Sequence, residues 1–395
     1  MPGIKDRVAI IGAGCTKFGE RWDAGLEDLM VEAAYEAYED AGIEPKDIQA
    51  AWLGINYQSF GGMRGSLLSH ALKLQYIPVT RVENACATAT EALRNACYAV
   101  AAGIYDIVMA AGVEKMKDSG WSGLPVSGPL SSTWVEPDCP APVQFALAAT
   151  RYFHKYGLSY EEGKRTLAKI AVKNHHNGSM NPRAHFRREI TIEQVMNAPI
   201  VASPLGLFDC CGVSDGSAVA IITTPEIARK FRDDYILVKG LGASVGAKQA
   251  LLNDWYDYTS FEESVTAARH AYEEAGVKNP REEIDLAVVH DCFSITEMII
   301  YEDLQFSARG KAKEDIDSDF FALEGGLPVN TDGGLKCFGH PIGASGLRMV
   351  YEVYKQLQGK AGPRQVKSPR LGLTHNLGGH PGHFACAISI LGRRD

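Results

Sequence analysis

The chain repeats itself about 235 residues apart, and this duplication constrains its fold more than any other feature. In the first copy VAIIGAG (8–14) reads as a buried strand running into a glycine turn. GLEDLMVEAAYEAYEDAG (25–42) then reads as an amphipathic helix stopped by Gly42, and IQAAWLG (48–54) as a second strand. In the second copy Tyr235–Gly242 takes the place of the first strand, FEESVTAARHAYEEAG (261–276) that of the helix, and IDLAVVH (284–290) that of the second strand. Each half continues through a glycine- or cysteine-bearing loop into a helix (92–103; 346–358) and a strand (106–112; 371–379). Two copies of one α/β unit are expected to pack as two sheets with helices between and outside them. The halves divide as 1–230 and 231–395, with an insertion at about 115–205 in the first.

The repeat also disposes of two look-alike motifs. VAIIGAG resembles a dinucleotide fingerprint, but Lys17 stands where the third glycine is needed. Gly242-Ala243-Ser244-Val245-Gly246 fits the nucleophile elbow of hydrolases, with His340 downstream. Gly242, however, occupies the place of Gly14 in the first half, where no serine follows, so a repeated structural turn explains it better.

A net charge of −8 with no basic run argues against nucleic-acid binding. No apolar stretch reaches the roughly 18 residues that span a bilayer, and the start has no signal-peptide layout, so no membrane role and a cytoplasmic location are expected. Nine cysteines at irregular spacing, without a C-x-x-C pair, read as reduced thiols and not as a zinc site.

The insertion opens with a Gly/Ser/Pro-rich run (119–134), followed by two helices (144–157 and 160–178). Inserted segments of this length are usually lids or binding elements. Its basic residues (Lys164, Arg165, Lys169, Lys173, Arg183, Arg187, Arg188) face either an anionic substrate or solvent, and solvent is the expectation for most of them. Its aromatics (Trp121, Trp134, Phe145, Tyr152, Phe153, Tyr156) either pack the lid or shape a pocket for a bulky acyl chain.

Cys86, in Glu83-Asn84-Ala85-Cys86-Ala87-Thr88, falls in a tight turn or first helical turn, where free amides and the helix dipole favour a thiolate. Three other polar stretches sit at expected strand ends or loops: His290-Asp291-Cys292-Phe293, Gly339-His340-Pro341-Ile342-Gly343-Ala344-Ser345-Gly346 and His375-Asn376-Leu377-Gly378-Gly379-His380. Sites in α/β sheets gather beyond the carboxyl ends of strands, so these stretches could converge on Cys86 and supply a nucleophile, a base and an oxyanion hole.

Over nearly its whole length the chain resembles the thiolase superfamily, closest to the sterol-carrier-protein type. The likeness rests on ENACATAT (83–90), SPLGLFDCCGVSDGSA (203–218), HDCF (290–293), GGLKCFGHPIGASG (333–346) and NLGG (376–379). It implies a five-layered αβαβα fold of duplicated halves, with the insertion as a loop domain over the active site that holds coenzyme A. Cys86 matches the nucleophile that carries the acyl group as a thioester, and His340 the base. His290 matches a position that holds oxyanion-hole water, and the amides of Cys86 and Gly378 match the second oxyanion hole. The second catalytic cysteine of ordinary thiolases is replaced here by Asn376. In the sterol-carrier branch its counterpart is Cys292, a thiol expected to titrate near neutrality and move the proton on carbon. Cys211 and Ser203 fall in the stretch that lines the coenzyme site in relatives. Cys15, Cys97, Cys139, Cys337 and Cys386 read as structural.

The resemblance implies thiolytic cleavage of a 3-oxoacyl-CoA, or the reverse Claisen condensation, on an acyl chain that could be bulky or aromatic, as in a benzoylsuccinyl thioester. Coenzyme A enters as substrate, with no permanent cofactor or metal. Two rival readings are a non-thiolytic acyltransferase or retro-aldolase of the same fold, and a lipid-binding or scaffold subunit. A homodimer is the implied minimal assembly, and a hetero-complex with a small zinc-ribbon/OB-fold protein is the implied larger one.

Overall fold

A computed structural model describes residues 3–56, 64–119, 140–252 and 255–394. Trp121, Trp134, Cys139 and nearly all of the Gly/Ser/Pro-rich run of the insertion lie outside the described residues. The first half comprises β1 (Ala9–Cys15), α1 (Leu26–Ala41), β2 (Ala50–Gly54), α2 (Arg64–Leu72), β3 (Val79–Val82), α3 (Thr88–Ala101) and β4 (Ile107–Glu114). The insertion carries α4 (Ala141–Lys155) and α5 (Tyr160–Ser179), after which β5 (Gly216–Thr223) completes that half. The second half is β6 (Ile236–Val245), α6 (Glu262–Ala275), β7 (Leu286–Val289), α7 (Ser294–Asp303), α8 (Ser345–Leu357), β8 (Leu371–His380) and β9 (His383–Gly392).

The duplication holds for four strands of each half. The sheet order is β3-β2-β4-β5-β1-β6-β9-β8-β7. In the first half β2 runs parallel to β3 and β4, and β5 runs antiparallel to β4 and β1. In the second half β7 is parallel to β8, and β9 is antiparallel to β8 and β6. The counterpart of β3 survives as a single parallel bridge from Val329 to Ala287 of β7. The two expected half-sheets meet at a narrow seam, where β1 and β6 pair only at Ala9↔Leu237 and Ile10↔Ile236.

Helix α1 covers β1 and β5 on one outside face, and α6 covers β6 and β9 on the other. Helices α3 and α8 lie between the half-sheets, each touching strands of both. This central layer explains why α8 is buried on nearly every side, even at Arg348, whose guanidinium is paired with the equally buried Asp332. These are the five layers of the expected α/β fold.

One expectation about local structure is corrected. Gly14 and Gly242 do not turn the chain, because both lie inside strands that continue to Cys15 and Val245. They are needed for close approach. A Cβ at Gly12 or Gly14 would fall on the carbonyl oxygens of Ala37 or Ala33 in α1, and one at Gly240 or Gly242 on those of Ala271 or Ala267 in α6. Each half therefore seats its outer helix directly on a glycine pair, with alanines on the facing side. Ser244, paired within the strand opposite Cys386, is no nucleophile elbow.

Four of the basic residues of the insertion pair with carboxylates on other elements, and Arg165, Arg187 and Arg188 are exposed as expected. Buried Lys164 pairs with Asp209, and Lys173 reaches Glu297 at 2.6 Å. Lys169 pairs with Asp317, and Arg183 pairs with Glu36. Phe145, Tyr152 and Phe153 are core residues.

Candidate active site

The turn that presents Cys86 is tight. Ala85 adopts φ 47°, the Ala87 and Thr88 amides bond back to the Asn84 and Ala85 carbonyls, and α3 starts two residues after the cysteine. From the far half, Gly378 of β8 approaches so closely that a Cβ there would lie 2.5 Å from the Asn84 oxygen and 2.7 Å from the Cys86 nitrogen. Only glycine allows this contact.

Cys86, His290 and His340 offer one donor atom each, all within 4.8 Å of one another. The two imidazoles meet edge to face with ring centres 5.3 Å apart. The hydrogen bonds behind the rings assign them different roles. The Ser345 hydroxyl gives its single proton to the Pro341 carbonyl at 2.8 Å, so at 2.7 Å from His340 Nδ1 it must accept. His340 therefore carries its proton on Nδ1 and turns a lone pair outward on Nε2, a fully buried atom with no partner among the described residues. For His290 the assignment reverses. Thr90 donates to Asn376 Oδ1 at 3.1 Å, which leaves the amide NH₂ facing His290 Nδ1 at 3.5 Å, so the proton resides on Nε2. Burial holds both rings neutral, pushing His340 down to about 3 and His290 well below its usual value.

The expected thiolate is not the resting form. Burial, then the neighbouring Cys211, pushes the Cys86 thiol up to about 12, although the Gly379 amide and its own amide reach the sulfur and pull the other way. Desolvation outweighs the helix terminus, so Cys86 rests as a thiol that needs a base. Of the two neighbouring glycines, Gly379 supplies the amide that reaches the sulfur, while Gly378 provides the close approach.

Cys292 is buried, its sulfur 3.7 Å from Thr296 Oγ1. Burial and then Cys86 raise it well above the usual thiol value, correcting the near-neutral expectation and making it a held proton. Cys211 sits across from Cys292, its amide bonded to the Cys292 carbonyl at 2.9 Å. Ser203 is exposed at the turn of a two-stranded ribbon (200–206). His375 turns to the opposite face of β8, where its Nε2 meets Ser264 at 2.9 Å, so only Asn376 and the glycines of that stretch join the site.

Sequence reasoning missed two supports. One is Ser345, five residues beyond His340. The other is Glu114, fully buried at the end of β4, whose carboxylate accepts the Asn56 and Gly343 amides at 3.0 Å and so ties the His340 loop to the first half. Below Cys211, Gly212 lies under the Phe186 ring. Phe186 lines a cavity of about 440 Å³ together with His175, His185, Arg187, Arg188 and Phe208.

No helix among the described residues is long and apolar enough to cross a membrane. Residues 8–226 match the family described as thiolase, N-terminal domain, and residues 244–393 that described as thiolase C-terminal domain-like. An acetyl-CoA acetyltransferase of Methanothermobacter thermautotrophicus is 41% identical, the alignment covering 96% of this chain and 98% of that one. Human sterol carrier protein 2 is 33% identical over 95% of this chain and 71% of its own. Among solved structures, an Ltp2-ChsH2(DUF35) aldolase superposes with TM-score 0.84 at 27% identity, covering 99% of this chain and 98% of that chain. An acetyl-CoA acetyltransferase from Syntrophomonas wolfei shares the fold, with TM-score 0.71 at 18% identity, covering 99% of this chain and all of that one. The duplicated halves, the cysteine turn and the paired histidine loops thus come with end-to-end relatives, and the chain belongs to the thiolase family.

Proposed function

We propose that this chain is an acyl-CoA C-acyltransferase that cleaves a 3-oxoacyl-CoA with coenzyme A, or runs the reverse condensation, through an acyl-Cys86 intermediate. The observation that carries this reading is the unpartnered Nε2 lone pair of His340, buried beside a thiol that cannot ionise unaided. His340 takes the Cys86 proton as the sulfur attacks the 3-keto carbon. The oxyanion forms against the Cys86 amide and the Gly378–Gly379 edge. The bond between C2 and C3 breaks, and the resulting thioester enolate is held by the two N–H groups now facing it, His290 Nε2–H and His340 Nε2–H. Cys292 gives its proton to C2. Coenzyme A gives its thiol proton to the Cys292 thiolate as its sulfur attacks the acyl carbonyl, and Cys86 leaves and recovers its proton from His340.

The cavity beside Cys211 suits the nucleotide end of coenzyme A. It offers aromatic faces at Phe186 and Phe208 and exposed guanidinium groups at Arg187 and Arg188 for phosphate. The exposed edge strand β3 offers a pairing surface for a second copy, the basis for a homodimer.

Coenzyme-A-dependent loss of 3-oxoacyl-CoA, followed across acetoacetyl, longer-chain and aromatic thioesters, tests the reading. Cleavage of at least one of them with coenzyme A is the expected outcome, and inertness toward all of them contradicts it. A second reading, carbon–carbon cleavage without thiolysis as part of a hetero-complex, is favoured by the likeness to the Ltp2-ChsH2(DUF35) aldolase. Under that reading a 3-hydroxyacyl-CoA is cleaved without added coenzyme A.

A further inference from the structure

We propose that Cys86, His290 and His340 together form a binding site for a thiophilic divalent cation such as zinc, which would hold the chain in a metal-loaded, inactive form. The inference rests on donor geometry and does not depend on which acyl-CoA reaction the chain performs.

The sulfur of half-buried Cys86 and one nitrogen from each of the buried His290 and His340 lie within 4.8 Å of one another, the two rings meeting edge to face. Bonds of about 2.0 Å to nitrogen and 2.3 Å to sulfur would bring the donors of a tetrahedral zinc site to roughly 3.3–3.7 Å apart, a contraction of at most about 1.5 Å. A second observation points to a ligand: His340 Nε2 is fully buried, has no hydrogen-bond partner among the described residues, and turns its lone pair into the cluster. Its Nδ1–H stays on Ser345, a hydrogen bond that fixes the tautomer able to bind a metal through Nε2. His290 reaches the same state if the Asn376 amide turns over. Oδ1 then accepts from Nδ1–H, Nδ2 donates to Thr90, and His290 Nε2 is freed for the metal.

The proton balance is simple. The Cys86 S–H bond breaks, a metal–sulfur bond forms, and one proton leaves to solvent, while His290 exchanges its proton between nitrogens without net loss. Three protein donors leave a fourth position for water. The donor set holds no oxygen, which disfavours magnesium and calcium and selects zinc and its spectroscopic stand-in cobalt(II).

The probe is Co²⁺, added anaerobically to the full chain. Uptake of about one equivalent is expected, with a sulfur-to-cobalt charge-transfer band, tetrahedral visible bands and release of one proton. Zn²⁺ should displace the cobalt and abolish the bands. Cys86→Ser should lose the charge-transfer band, as should wild-type chain singly alkylated at Cys86 and checked by mass, which avoids any folding defect of the variant. No uptake at micromolar Co²⁺ would overturn the proposal. So would a thiolate band that survives in both the Cys86→Ser and the alkylated chain, since another thiol, such as Cys210 or Cys211, would then be the ligand.

Discussion

His340 Nδ1 lies 2.7 Å from the hydroxyl of Ser345, and that hydroxyl has already spent its proton on the Pro341 carbonyl. The serine can therefore only accept, and under the proposed mechanism the imidazole meets Cys86 as a base in one tautomer. Ser345→Ala removes this selection. A fall in kcat of about 10- to 100-fold is expected, with KM little changed, because the base is lost without loss of binding contacts. Steady-state kinetics check this, and slower alkylation of Cys86 by iodoacetamide at fixed pH should accompany it. An unchanged kcat would mean that the tautomer is set elsewhere.

Cys292 is assigned to a proton on carbon, not to the acyl group. Cys292→Ala should still form an acyl-enzyme from acetyl-CoA, yet lose carbon–carbon bond formation or cleavage by about 10²- to 10⁴-fold. Comparing the acylation half-reaction with overall turnover separates the two. Equal losses in both would place Cys292 in support of Cys86 instead.

The glycine pairs under the outer helices make the duplication measurable. Gly14→Ala drives a methyl onto Ala33 of α1, and Gly242→Ala drives one onto Ala267 of α6. Each should destabilise by about 1–3 kcal/mol, by similar amounts. Denaturant unfolding of the two variants reads this directly. A neutral outcome in either would show that its helix is not seated as described.

Burial pushes His375 down to about 3, and it has no part in the proposed chemistry. It is neutral in the fold but binds a proton below about pH 6.5 once unfolded. Its contribution to stability is thus present above that pH and lost as pH falls, by up to about 1.4 kcal/mol per pH unit. His375→Gln should reduce the acid sensitivity of unfolding between about pH 6 and pH 4.5 by up to that slope, with catalysis retained. Identical pH dependence in the variant would mean that His375 is protonated in the folded chain. The buried carboxyls act oppositely: burial and then the neighbouring Glu297 raise Asp291, and burial raises Asp303 to about 6, so each favours the fold as pH falls. The comparison with wild type isolates the histidine from them.

Much of this was legible in the sequence. Helix periodicity and the αL glycines Gly42 and Gly276 mark the repeat, and the repeat implies layered halves. The role of the strand glycines was not legible, because a glycine that turns a chain and one that admits a helix look alike until the helix is in place. Cys86, His290, Cys292 and His340 could be named from their motifs, but not their protonation. The helix dipole suggested a thiolate, whereas desolvation, which depends on the folded surroundings, keeps the thiol neutral. Ser345 and Asn376 set the two tautomers through contacts that sequence spacing does not reveal. Lys164 and Lys173 read as surface charge, and only the fold supplies their buried carboxylates.

The most direct test of the account is the intact mass of the chain after incubation with acetyl-CoA, in wild type and in Cys86→Ala. One acetyl adduct on the wild type, located at Cys86 by peptide mapping and absent from the variant, is the predicted result. An unmodified wild type would contradict the acyl-Cys86 mechanism, as would an adduct that persists in Cys86→Ala.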